Sequence, residues 1–132
     1  MATLTPNGDA EVQIAIAGRL KKYSTDQTVT AVTSYNIDTR VPTGKRWVFK
    51  AIKADKVSGT FTVGTIRLYV LPDGANDVEL YSVGAATLLK GYGDQDITLD
   101  EGAIIRCRIT VTAHTVDGIY RPQILVQEMD SN

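Results

Sequence analysis

The chain has 132 residues, 43% of them hydrophobic and 22% charged, with a formal net charge of −1. That length supports one domain with a core of its own, and the near-neutral balance supplies no general pull toward nucleic acid. A single cysteine excludes an intrachain disulfide framework, so a reducing compartment is the simpler expectation; Met1–Asp9 does not read as a signal peptide and no run approaches a membrane span, so no membrane partner is expected.

Taken in chain order, residues 1–10, with Pro6-Asn7-Gly8-Asp9, read as a flexible arm ahead of a domain over 11–128. Val12, Ile14 and Ile16 alternate with Gln13 and Ala15, which is strand periodicity. A second strand is expected through Val29, Ala31, Tyr35 and Ile37. Val41-Pro42-Thr43-Gly44-Lys45-Arg46-Trp47 then turns the chain: Pro42 has a fixed φ and no N–H, and Gly44 tolerates φ > 0. Residues 47–52 are apolar at most positions, broken by Lys50, which predicts a central strand covered on both faces.

Over 60–70 the apolar phase switches from odd (Phe61, Val63) to even (Ile66, Leu68, Val70), so a bulge or sharp bend is expected at Gly64-Thr65. Strands at about 78–83 and 85–90 and a short one at 96–99 follow. Leu99-Asp100-Glu101-Gly102 is a second turn leading into a strand at 103–113, with Ala103, Ile105, Cys107, Ile109, Val111 and Ala113 on one face and Arg106, Arg108 and His114 on the other. The last strand, about 119–128, carries Tyr120, Ile124 and Val126 on one face. Pro122 within it predicts an edge or a bulge, and 129–132 reads as a loose tail.

About eight strands punctuated by such turns, with no 3.6-residue periodicity, predict an all-β fold: a single-domain antiparallel β-sandwich, jelly-roll-like or Greek-key. The expected core includes Val29, Ile37, Trp47, Phe49, Ile52, Leu68, Ile105, Cys107, Ile109, Val111, Ile124 and Val126.

Chemistry is sparse in this pattern. Cys107 and His114 are an odd number of residues apart, which places them on opposite strand faces, and Cys107 belongs to the apolar one, where a thiol is inert packing. His114 is the only histidine, so a metal site would need other donors. Asp73, Asn76, Asp77 and Glu79, and again Asp94, Asp96, Asp100 and Glu101, offer oxygens to a calcium ion without the spacing of an EF-hand; solvated acidic turns are the simpler reading. Gly44-Lys45 is no phosphate loop, because the upstream glycine is missing and a strand follows. Paired carboxylates for glycoside hydrolysis lack a cleft signature. No catalytic residue, metal or cofactor is expected.

The charge is unevenly placed. Residues 1–66 carry nine Lys/Arg against five Asp/Glu, and residues 67–132 five against ten. Complementary faces meeting between subunits are one reading; differently charged surfaces of one domain are the other. Arg19, Lys21 and Lys22, in a loop near Tyr23, and Arg106 and Arg108 with His114 on one strand face, are the candidate interface residues. The aromatics read mostly as core, which disfavours a nucleic-acid platform.

The pairing of Val41-Pro42-Thr43-Gly44-Lys45-Arg46-Trp47 with Leu99-Asp100-Glu101-Gly102-Ala103-Ile104-Ile105 resembles small β-sandwich virion proteins of tailed bacteriophages. In these a VPxGKxW turn precedes an LxxGxxI turn and a final strand ending near a Glu, here Val126-Gln127-Glu128. The resemblance covers roughly residues 37–128. It implies a non-enzymatic structural role in the virion: capsid decoration or cement, with a neck, tail or fibre component as the alternative. It implies a homo-oligomer, often a trimer, with the major capsid protein or other virion proteins as partners and assembly in the host cytoplasm. A carbohydrate-binding module is a further alternative, and would need solvent-facing aromatics among Tyr69, Tyr81 and Tyr92.

Overall fold

In the computed structural model, which describes residues 18–84, 89–90 and 97–131, the alternating segments form two antiparallel sheets. The first sheet orders β1 (Arg19–Ser24), β10 (Gly118–Asp130), β4 (Lys45–Lys56) and β7 (Leu89–Lys90); β2 (Gln27–Val29) also pairs with β10, and β8 (Ile97–Leu99) with β4. The second sheet orders β3 (Ser34–Arg40), β9 (Ile104–Val116), β5 (Thr60–Leu71) and β6 (Val78–Gly84). The chain crosses between sheets at β2–β3, β3–β4, β4–β5, β8–β9 and β9–β10, so each sheet gathers strands distant in sequence. The result is the expected all-β antiparallel sandwich, with no helix among the described residues. The segment with Val12, Ile14 and Ile16, the 1–10 arm, most of the 85–90 strand, Tyr92, Asp94 and Asp96 lie outside the described residues.

The inner faces of both sheets meet in one apolar cluster. Val29, Ile37, Trp47, Phe49, Ile52, Leu68, Ile105, Cys107, Ile109, Val111, Ile124 and Val126 are each no more than 3% exposed. Burial pushes the Cys107 thiol up to about 12, which removes the thiolate that any nucleophilic role requires. A disulfide-exchange reagent is therefore expected to leave Cys107 untouched in native protein and to titrate one thiol after denaturation; fast reaction in the native state would place the thiol outside the core.

Bulges re-phase three strands. In β4, Leu125 pairs with Ala51 and Val126 with Phe49, so Lys50 is the extra residue. Trp47 and Phe49 before it, and Ile52 and Ala54 after it, therefore reach the same core face. The apolar run at 47–52 thus has a different cause from the one expected: β4 is central in its sheet, but one face is buried and the phase switches within it. In β5 the register skips Gly64, between Val63 and Thr65, where the phase change predicted it. A Cβ on Gly64 would stand 2.5 Å from Thr112 Cγ2, which is one reason for glycine at that point. In β9 the register skips Thr112, and His114 pairs with the buried Phe61. His114 is accordingly turned to the face opposite Arg106 and Arg108, a correction to the simple alternation. It shares Cys107's face, but seven strand residues, roughly 20 Å, separate the two.

Other boundaries differ for local reasons. The expected 28–37 strand is two strands in different sheets, broken at 30–33, where the Tyr35 hydroxyl accepts the Thr30 and Ala31 N–H groups at 3.0 and 3.1 Å. Pro122 is neither on an edge strand nor in a bulge: β10 is interior, flanked by β1 and β2 on one side and β4 on the other. The missing N–H faces Thr25, whose own N–H donates to the Pro122 carbonyl at 3.2 Å, and this half-bonded position falls in the gap between β1 and β2. β10 also runs to Asp130, so Met129 and Asp130 belong to the ladder rather than to a tail, and the Ser131 N–H donates to the Gly44 carbonyl.

One core group lacks a partner. Tyr120 is fully buried and its hydroxyl has no hydrogen-bond partner among the described residues. Burial, the neighbouring Cys107 and Asp55 all push its ionisation up. An unsatisfied buried hydroxyl opposes folding, so Tyr120→Phe is expected to stabilise the protein by about 1 kcal/mol in urea titration. A loss of similar size would reveal a partner for the hydroxyl.

Candidate functional site

The two turns that the sequence pairs are neighbours in space. Val41 N–H donates to the Ala103 carbonyl at 2.8 Å, and Gly102 N–H to the Val41 carbonyl at 3.0 Å. Each is closed by its own bond, Lys45 N–H to Pro42 carbonyl at 3.1 Å and Ala103 N–H to Asp100 carbonyl at 3.1 Å, with a glycine at φ 81° (Gly44) or 85° (Gly102) in the third position. A positive φ at that position is what a type II turn demands. Both turns carry the chain from one sheet to the other, so together they form one corner of the sandwich. Side chains lock them: Glu101 Oε2 accepts the Gly44 N–H at 3.1 Å, and Arg46 Nε donates to Asp100 Oδ1 at 2.9 Å. Lys45 reaches Asp130 at 2.8 Å. The Gly-Lys pair is therefore engaged by carboxylates of its own chain.

Behind this corner lies Glu128, the one buried charged side chain among the described residues. Ile124, Val126 and Glu128 share the inward phase of β10, so the acid points into the sandwich. Its Oε2 accepts the Trp47 Nε1–H at 2.8 Å and a short bond from the Tyr23 hydroxyl; Lys21 Nζ lies 3.0 Å from Oε1. Tyr23 and Trp47 stack at 4.7 Å between ring centres, tilted by 36°. Burial pushes the Glu128 carboxyl up, but the donors Tyr23, Trp47 and Lys21 outweigh it and hold the carboxyl below its usual value. Sequence reasoning marked Glu128 only as a strand end. The available signal was an acid in register with Ile124 and Val126, two and four residues upstream.

The arginines of β9 form a different, shallower cluster on the outer face of the second sheet. Arg106 makes a bidentate pair with Asp38, at 2.8 and 3.0 Å. Arg108 donates to Asn36 Oδ1 at 2.7 Å and to the Tyr69 hydroxyl at 3.1 Å, and lies 4.7 Å from the Tyr69 ring centre. Asp77, from the β5–β6 loop, sits 3.9 Å from Arg106 and 3.7 Å from Arg108. Beneath this loop Tyr69, Leu71 and Ile104 make a small second apolar cluster. The two arginines thus tie β3, β9 and the loop to one another. His114 is elsewhere, bonded through Nε2 to Asp117 at 2.8 Å.

The acidic loop is consumed in the same way. Asp73 accepts the Ala75 and Asn76 N–H groups and the Asn76 side-chain amide, which hold its carboxyl down to about 2. Glu79 lies 3.8 Å from Arg67. Tyr69, one of the aromatics offered for sugar binding, is 7% exposed, whereas Tyr81 is 40% exposed.

Arg19, Lys21 and Lys22 are on strand β1 rather than in a loop, because the backbone pairs with β10 from Arg19↔Glu128 to Ser24↔Gln123. Alternation splits them: Lys21 joins Glu128 on the inner side, and Lys22, opposite Leu125, stands on the outer face of the first sheet. There the β4 bulge opens an apolar depression of about 300 Å³, bordered by Lys22, Ala51, Lys53, Gln123 and Leu125.

No family model and no curated protein matches the chain. Solved structures of infectious bursal disease virus share its course weakly. The Gt strain structure gives a TM-score of 0.35 at 9% identity, over 88% of this chain and 33% of that one. The Gx strain structure gives 0.27 at 11% identity, over 88% and 31%. The chain spans about a third of the length of those it matches, and likeness at these scores bears no weight for function.

Proposed function

We propose that the chain is a non-enzymatic structural protein of a tailed-phage virion, one that decorates or cements the capsid as an oligomer, with the major capsid protein as its partner. The observation that supports this reading most is the convergence of the three sequence pieces that carry the resemblance. The Val41–Trp47 turn is hydrogen-bonded to the Asp100–Ala103 turn, Trp47 pairs across the ladder with both Leu99 and Glu128, and the Trp47 indole donates to the Glu128 carboxylate. Three segments from different parts of the chain form one corner, as expected of a motif set that specifies a scaffold.

The mechanism is adhesive. A sandwich held by a continuous core and by ion pairs between strands bridges shell subunits and adds buried area to the assembled state, which mass action converts into shell stability. Polar side chains already committed within the chain, Arg106 to Asp38 and His114 to Asp117 among them, favour a scaffold over a reaction centre. Particles lacking the protein should lose heat resistance, and intact particles should hold hundreds of copies. A handful of copies favours a neck, tail or fibre position instead; absence from purified particles overturns the virion reading.

A further inference from the structure

The outer face of the first sheet and the edge strand of the second are complementary in shape class and charge. The β4 bulge sets an apolar depression, with Leu125 and Ala51 at its border, between the ammonium groups of Lys22 and Lys53. Lys22 is exposed, and Lys53 has only a distant pair with Asp55 at 4.0 Å. On the far sheet, the β6 edge presents the reverse arrangement. Val78 is 52% exposed and lies between Asp77 and Glu79, and Tyr81 is exposed two residues further on. Residues 72–82 contain three acids and no lysine or arginine.

We propose that β6 of one copy docks into the first-sheet depression of a second copy, Val78 seating against Leu125 and Ala51 while Asp77 and Glu79 meet Lys22 and Lys53. Charge complementarity selects the partner: an apolar side chain flanked by carboxylates fits an apolar hollow flanked by ammonium groups, and both belong to this chain. The two patches differ, so the contact is heterologous, and repeating it closes a ring if the rotation allows. The separation of charge along the sequence, basic before residue 67 and acidic after it, acquires a physical role, since Lys22 and Lys53 lie in the first part and Asp77 and Glu79 in the second. The inference rests on the oligomeric part of the reading above.

Sedimentation of the purified full chain tests it. The wild type is expected as a closed oligomer whose mass falls toward the monomer as salt rises. Val78→Asp and Leu125→Asp are each expected to be monomeric, with unchanged circular dichroism. An equimolar mixture of the two retains one intact edge and one intact depression and is expected to stop at a dimer. Lys22→Glu, on an exposed side chain, is expected to weaken association at least tenfold, and Lys22→Glu combined with Glu79→Lys to regain it. Single variants that keep the wild-type mass, a mixture that stays monomeric, or a monomeric wild type would each overturn the docking. If the protein is nevertheless found in purified particles, the virion reading stands without it.

Discussion

Trp47→Ala is expected to cost about 3–5 kcal/mol of folding stability, the range for emptying a large aromatic site in a core. Trp47 is fully buried, sits between Leu99 and Glu128 in the ladder, and stacks on Tyr23. Removing it opens a cavity at the corner where both turns cross between sheets, and deprives Glu128 of a donor. Trp47→Phe separates these effects. It keeps most of the apolar mass and deletes the N–H, so a loss of about 1–2 kcal/mol is expected from the missing charge-assisted bond and imperfect packing. Urea denaturation read by circular dichroism measures both. Equal losses for the two variants would show that the hydrogen bond, rather than the packed ring, holds the corner.

The second large effect is pH-dependent. Glu128→Ala strands the Trp47 N–H in an apolar surround, at about 1–3 kcal/mol for the unsatisfied donor, and also removes the acceptor of Tyr23. Glu128→Gln keeps an acceptor oxygen but loses the charge facing Lys21. The folded-state carboxyl titrates below its ordinary value of 4.5, because Tyr23, Trp47 and Lys21 outweigh the opposing effect of burial. Its contribution is thus present in full above the unfolded value and is lost as pH falls through the folded one. Wild type is expected to lose stability between pH 5 and 3 more steeply than Glu128→Gln. Asp26 and Asp73, also held below their ordinary values, titrate in both proteins, so the difference between the two curves isolates Glu128. Parallel curves would mean that the carboxylate is not ion-paired in the native protein.

Much of the sandwich was legible because alternation reports one buried face directly. Ile105, Cys107, Ile109 and Val111 share a face in the sequence and a core in the structure. The Gly64 bulge was legible for the same reason, since a change of apolar phase inside a strand requires an extra residue. The β4 bulge left an ambiguous trace. An apolar run that switches phase at Lys50 looks like a strand buried on both faces, and only pairing with β10 distinguishes the two. His114 was misplaced by the same blindness, because Thr112 carries no sign of being skipped.

The interface residues show a different limit. A sequence displays charges without their partners: Arg106 and Arg108 look available until Asp38, Asn36 and Asp77 arrive from other elements. Lys21 and Lys22 look equivalent until pairing with β10 turns one toward Glu128 and the other outward. By itself the sequence determined the fold class, the two glycine turns and most of the core, since these follow from backbone sterics and from a two-residue period acting over a few neighbours. Only the tertiary structure decided that the two turns bond to each other, that Glu128 is buried under Trp47 and Tyr23, and which charges are spent inside the chain. Those outcomes depend on contacts between residues 54 to 105 positions apart, and no local pattern encodes such contacts.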